Sequence, residues 1–287
     1  MESATIESLI TKAAQLTLFV LMLGMGLNLT IRQLSYLWNK PGLLIRVLLA
    51  SFVLVPLAAA IVVGILPLST PVRIGIALMA ITPGAPLIYR KISKMGWNAT
   101  LAASYQVTVS LLAIVFIPVL AVILSNLYLN QGVVTSLEVF KQVLAVQIIP
   151  LTIGLAIRAG ISDLADDIED FVTRIGNVMF LALGILILIK GLKQVLNAGI
   201  LPLLAIALIA AASLAIGHFL GGTDSSDRAT LAIANATRNP GLALVITVLN
   251  FTKAEILPTV IVYALVSAIV VAFYHSRYKR TLTSAIE

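Results

Sequence analysis

The sequence predicts an all-α polytopic membrane protein: about nine transmembrane helices in an inverted repeat, with two Pro-Gly-broken helices crossing at mid-membrane and a core-plus-panel arrangement. Three observations carry that prediction. Hydrophobic residues make up 60% of the 287-residue chain, charged residues only 11%, and the mean hydropathy is +1.08. A soluble domain carries about 25% charged residues, so this chain lacks the side chains to cover an aqueous surface; intrinsic disorder needs the opposite composition. Apolar stretches of about 20 residues, the length that crosses a bilayer, recur along the whole chain. Two of them are interrupted near the middle by the same dipeptide, Pro83-Gly84 and Pro240-Gly241. Residues 1–287 therefore read as one membrane domain.

Turn residues and charges bound the apolar segments. Segment A (about 11–29) follows Glu2 and Glu7 without a basic stretch, so it does not read as a cleavable signal. Its Gly24 and Gly26 are close-packing positions. Segment B (42–66) opens after Pro41 and contains Pro56. Segment C (72–94) holds the first break within IALMAITPGAPLIY, and D (98–127) follows it directly. E (138–158) precedes an acidic run, Asp163 to Asp170, that reads as the E–F loop. F (172–192) and G (199–220) lead to H (228–250), which holds the second break within LAIANATRNPGLALVI, and I (255–275) closes the series. Aligning the breaks pairs A with F, B with G, C with H and D with I. Repeat one is then about 11–128, the extra helix about 138–158, and repeat two about 172–275. One unpaired helix between the halves inverts the second, an arrangement common in secondary transporters.

The net charge of +7 is read as topology, since Lys and Arg collect at the cytoplasmic ends of membrane helices. Eleven of the nineteen basic residues, Arg32, Arg90, Lys91 and Arg158 among them, fall on the side holding the A–B, C–D, E–F and G–H connections and the C-terminus. Six, including Lys12 and Lys253, fall on the other. The N-terminus is expected outside and the C-terminus inside, in a multi-pass protein of a bacterial inner (plasma) membrane. The expected partners are the lipid bilayer and a small-molecule anionic substrate, not nucleic acid. The chain has no cysteine and only His218 and His275, which excludes disulfides, thiolate chemistry and multi-His metal sites. No cofactor is expected, and no His, Cys or acid cluster offers an enzyme active site.

The chemistry lies at the breaks. Proline removes a backbone donor and glycine eases unwinding. In hydrocarbon the freed groups must be satisfied by protein, water, ion or ligand. Two breaks facing each other would bring together two half-helix N-termini, whose free N–H groups suit an anion. Thr82, Pro83 and Gly84 on C, Gln106 on D, and Asn235, Thr237, Arg238, Asn239, Pro240 and Gly241 on H are the candidate substrate-binding residues. Arg238 is the most informative, because a cation near the bilayer centre is costly and is paired or functional. All twelve acidic residues fall at segment ends, in loops or at the termini. Its counter-charge is therefore expected from a substrate or from carbonyl dipoles. The same census leaves no intramembrane carboxylate for proton or cation exchange. His218, near the end of G, reads as a packed or interfacial residue. Asn28, Thr108, Gln147 and Asn177 are further polar positions able to line a cavity or join helices.

Taken together, LMLGMGLNLT (21–30), Pro41, Pro56, TPGAP (82–86) and RNPGLA (238–243) resemble the bile acid:sodium symporter superfamily from about Gln15 to the end of the chain. The resemblance implies symporters of ten helices, with core and panel domains, that move bile acids, pantoate or other carboxylates with sodium. The first helix of that plan has no counterpart here, leaving nine. It also implies sodium ligands at the crossing of the broken helices. The family's Glu falls on Ala234 and its Gln on Arg238; its Ser-Asn falls on Ile88 and Tyr89. A Ser and a Thr fall on Ala102 and Gln106, and a Gln of segment B falls near Ser51. Hard cations want several oxygen ligands and usually a carboxylate, and these substitutions remove most of them. The expectation is a secondary transporter of a small organic anion working by alternating access, with C, D, H and I moving against A, B, F and G. Arg238 would stand in for sodium. The alternatives are a sodium-coupled anion symporter of the same family, a related broken-helix carrier, or a non-transporting membrane sensor.

Overall fold

The computed structural model describes residues 2–86, 88–129, 135–251 and 254–284, and among them every regular element is helical. Helix α1 (Glu2–Asn28) is segment A. A short amphipathic helix that hydropathy alone does not reveal, α2 (Ile31–Trp38), follows it, opened by a capping box between Thr30 and Gln33. Segment B is α3 (Pro41–Leu49), a π-helical turn (Ala50–Leu54) and α4 (Val55–Ile65). Segment C is divided into α5 (Thr70–Ile81) and α6 (Ile88–Lys94), and D is α7 (Ala99–Leu129). Segment E repeats the plan of B: α8 (Ser136–Val143), a π-helical turn (Leu144–Ile148) and α9 (Ile149–Gly160). F is α10 (Ser162–Asn197) and G is α11 (Leu201–Leu220). H is divided into α12 (Ser225–Ala236) and α13 (Pro240–Asn250), and I is α14 (Leu257–Ser284).

Among the described residues seven continuous segments are long and apolar enough to cross a membrane, and the two interrupted ones each fall third in a run of four. One boundary expectation is corrected. The acidic run Asp163 to Asp170 is not a loop but the first turns of α10, where only Ile161 separates α9 from α10. Acidic residues there favour the positive end of a helix dipole, and helix continuity wins over the polar composition. Lys253 lies outside the described residues, as does the side chain of Arg32.

Packing also corrects the expected division into bundles. Helices α1, α9 and α10 pack on one another, while α3–α7 and α11–α14 form the second bundle. Segments B and G thus belong with the broken helices, while A and F pack with the second half of E, and the first half of E, α8, packs on α7. Glycines explain the choice. A Cβ on Gly26 would run into the Leu151 carbonyl and sit 2.9 Å from Gly154 Cα. One on Gly176 would sit 2.9 Å from the Leu21 side chain. Close backbone contact of this kind drives helix association where the lipid is as apolar as the protein. In the larger bundle Gly217 meets the backbone of Leu231 and Ala232, and Gly75 meets Thr259 at 2.8 Å.

Candidate functional site at the crossed helix breaks

Both π-helical turns sit just ahead of a proline, and each delivers one polar side chain to the centre of the protein. In the first, Val55 N–H donates to Ala50, one residue further back than in an α-helix. Pro56 has no N–H, so the Ser51 carbonyl that it would have met is left for another donor. In the second, Pro150 plays the same part and Gln147 lies in the widened turn. Ser51 and Gln147 are both fully buried.

The two breaks are bonded through their backbones. Asn239 N–H donates to the Thr82 carbonyl at 2.8 Å, and Ala85 N–H to the Thr237 carbonyl at 3.4 Å. Gly84 makes the first break possible: its φ is +76°, and a Cβ there would lie 2.6 Å from Val109 Cγ2. Thr82 and Thr237 turn their hydroxyls back to Leu78 and Ile233, closing the preceding half-helices.

The half-helix N-termini are not the open donor sets expected from sequence. Asn239 Oδ1 accepts from Leu242 N–H at 3.0 Å and caps α13, whose first position is Pro240. Gln106 Oε1 accepts from Tyr89 N–H at 3.3 Å at the start of α6. The reason is general: a buried orphan N–H is expensive, and an amide within reach satisfies it. The expectation of free N-termini is corrected accordingly.

The other ends of these amides face the smaller bundle. Gln106 Nε2 donates to Met25 Sδ at 3.0 Å, a weak acceptor. Asn239 Nδ2 donates to Gln147 Oε1 at 3.4 Å, and Gln147 Nε2 to the Ser110 carbonyl at 2.8 Å. The Ser110 hydroxyl, one helical turn from Gln106, is buried without a partner. Gly241 closes the same boundary, with Leu18 about 3.1 Å from where its Cβ would be.

Arg238 points the other way, into the larger bundle. It is 2% exposed. Its Nη2 donates to the freed Ser51 carbonyl at 2.9 Å and to the carbonyl of Ala80 on α5. Its ionisable neighbours are the phenols of Tyr105 and Tyr263, and no carboxylate among the described residues reaches it. Of the two sources of counter-charge expected from sequence, carbonyl dipoles are the one this conformation uses. Asn235 completes the wall: its Oδ1 accepts from Ser51 Oγ at 3.3 Å and its Nδ2 donates to the Ser213 carbonyl at 3.0 Å. The ten candidate residues thus divide by the bundle they address, with Arg238 and Asn235 on one side and Gln106 and Asn239 on the other. Sequence reasoning missed Tyr105, Tyr263, Ser110 and the placement of Gln147. A polar residue three to five positions before a mid-helix proline is the available signal for the π turns.

The remaining polar candidates have local partners. Thr108 accepts from Trp38 Nε1 at 3.1 Å. His218 Nδ1 lies 2.7 Å from the Tyr274 hydroxyl in an aromatic cluster at one end of the bundle. Arg90, read as an orientation charge, has a second role. From α6 it reaches across to Asn28 on α1 and to Glu169 and Asp170 on α10, both at 3.0 Å. Arg158 pairs with Glu169 and Asp166 beside it. The two bundles are therefore closed together at this end. At the opposite end a cleft of about 320 Å³ opens between them, lined by Ser69, Gln194, Asn197, Glu255 and Thr259.

Two bundles, two bonded helix breaks in the larger one that face the smaller, and a closed and an open end define an integral, multi-pass membrane protein of transporter architecture. The chain belongs to the Sodium Bile acid symporter family, whose model matches residues 15–198. The match includes the first break; the second, with Arg238, lies beyond it. No curated protein matches the chain. At the positions the family resemblance assigns to sodium, Ala102 and Ala234 are fully buried, Ile88 and Tyr89 nearly so, and the side-chain oxygens of Gln106 and Ser51 are already hydrogen-bonded.

Proposed function

We propose that this protein is a secondary transporter of a small organic anion that works by alternating access without the family's two sodium ions. One observation carries the reading: a guanidinium, not a carboxylate, is buried at the crossing, where it holds carbonyls of α5 and of the π turn of segment B. A sodium ion would bind such carbonyls with several further oxygens and an acid. Here Ala234 stands where the acid would be, and a fixed cation supplies the positive charge. Members of the family are transporters, and the family's name describes sodium coupling; the residues of this chain support an uncoupled, exchanging or proton-linked variant.

In this reading the organic anion binds at the boundary between bundles, beside Thr82, Pro83, Gly84, Gln106, Asn239, Pro240 and Gly241. Gln106 Nε2, Asn239 Nδ2 and the Ser110 hydroxyl are donors there with weak or no acceptors. Arg238, with Asn235 and Thr237 beside it, supports the site electrostatically from behind. The repeat division at about 11–128 and 172–275 supplies the two arms, and the Lys and Arg distribution supports the Arg90 end facing the cytoplasm. A thermal-shift screen of carboxylates identifies the ligand, since a ligand that binds only the folded state raises the melting temperature. Uptake of the most stabilising carboxylate into liposomes is then expected to be unchanged when potassium or choline replaces sodium. Collapse of uptake on that replacement overturns the reading. Stabilisation by a carboxylate without counterflow would establish the sensor alternative instead.

A further inference from the structure

Arg238 carries five N–H donors. Its Nη2 serves the Ser51 and Ala80 carbonyls, whereas Nε and Nη1 make no hydrogen bond of acceptable geometry. The Tyr263 hydroxyl beside it is also buried without one. Helix packing brings these groups together. Ser267 Oγ on α14 donates to the Ala236 carbonyl at 2.8 Å, two residues before Arg238, and Tyr263 stands one turn away on the same face. Asn235 ties α11 to the same place through the Ser213 carbonyl. Tyr105 closes the other side, 3.1 Å from Ser51 Oγ.

A buried cation bonded to two carbonyls, with only the neutral Tyr105 and Tyr263 hydroxyls beside it and Nε and Nη1 without a well-formed partner, is electrostatically incomplete. The geometry points to a resident small monovalent inorganic anion, of the size and charge of chloride, held by the unspent N–H groups of Arg238 and the Tyr263 hydroxyl inside the larger bundle. The proposal rests on the reading that Arg238 has taken the place of sodium, and it adds what the cation is paired with. Beside these groups a crevice of about 10 Å³ is lined by Arg46, Val47, Ala50, Tyr105, Leu231 and Asn235, and the anion reaches Arg238 when Tyr105 and Asn235 shift. An inorganic anion there reduces the attraction of Arg238 for an organic anion at the bundle boundary. The two ligands would therefore bind with reciprocal negative coupling, which is the thermodynamic basis of exchange.

The test uses the purified full chain in detergent and follows its unfolding temperature. Potassium chloride is compared with potassium sulfate at matched ionic strength, and bromide serves as a second halide. The unfolding temperature is expected to rise with chloride or bromide and to saturate, as mass action requires of a single site. Sodium and potassium salts should behave alike. Tyr263→Phe removes one hydroxyl without changing shape, and about a tenfold higher half-saturating chloride concentration is expected. Arg238→Gln should abolish the response, and Tyr278→Phe, at the far end of α14, should retain it. Identical wild-type unfolding temperatures in chloride and sulfate would overturn the proposal. So would an undiminished chloride response in Tyr263→Phe, a readout that stands even if Arg238→Gln fails to fold. Chloride independence with sodium-independent uptake would remove this site and leave the transport reading intact. A saturable rise with sodium salts alone would overturn the sodium-free reading itself.

Discussion

Arg90 is expected to hold one end of the protein closed, and removing its charge should open that end by a measurable factor. Arg90 sits on α6 in the larger bundle, while Asn28, Glu169 and Asp170 belong to the smaller one. Its side chain is 29% exposed, Glu169 22% and Asp170 75%. An exposed ion pair contributes about 0.2–1 kcal/mol, so the Asp170 contact counts for little and the Glu169 contact, shared with Arg158, for more. The latch as a whole is worth about 1–2 kcal/mol, which corresponds to a factor of about 5–30 in an equilibrium constant. The chain has no cysteine, so Met25→Cys gives a unique probe; Met25 is fully buried against Gln106, three residues from Asn28. Arg90→Gln should raise its labelling rate by a membrane-impermeant maleimide about 5- to 30-fold, matching about 1–2 kcal/mol. Salt near 1 M, where the Debye length is about 3 Å, should reproduce part of the increase in the parent. An unchanged rate would refute the latch, as would an equal increase from Lys94→Gln, an exposed lysine one turn further on.

Other outcomes follow from individual contacts. Gly84→Ala imposes a left-handed conformation on a residue with a Cβ, at about 1–2 kcal/mol. The overlap with Val109 adds about 1–3 kcal/mol. Val109→Ala should restore the steric part of the lost unfolding temperature and not the rest. Asn239→Ala removes the cap on α13 and should cost about 0.5–2 kcal/mol, whereas Asn239→Asp should keep most of it, as read by thermal unfolding. Gly26→Ala should separate α1 from α9 and lower the unfolding temperature sharply. Gly64→Ala, where a Cβ meets nothing within 4 Å, should raise it slightly, by about 0.5–1 kcal/mol of helix propensity.

Local chemistry set much of what could be read in advance. The nine apolar segments and both breaks were legible, because hydropathy over 20 residues and a Pro-Gly pair act on the chain regardless of what surrounds them. Amphipathic α2 was missed, since its eight residues contribute nothing to a long hydropathy window. The acidic start of α10 has the polarity of a loop, and it is the continuity with the apolar turns after it that makes it helix.

Sequence by itself determined that this is a polytopic helical membrane protein whose membrane interior holds an arginine at a helix break and no acid. Tertiary structure alone decided which helices stand together, which carbonyls receive Arg238, that the half-helix N-termini are capped, and that Arg90 joins the bundles. The physical reason is distance along the chain. Arg238 finds Ser51 across 187 residues and Ala80 across 158, and Gln147 finds Asn239 across 92. Contacts at such separations leave no period in the sequence; they exist only once glycine contacts and proline bends have brought the helices together.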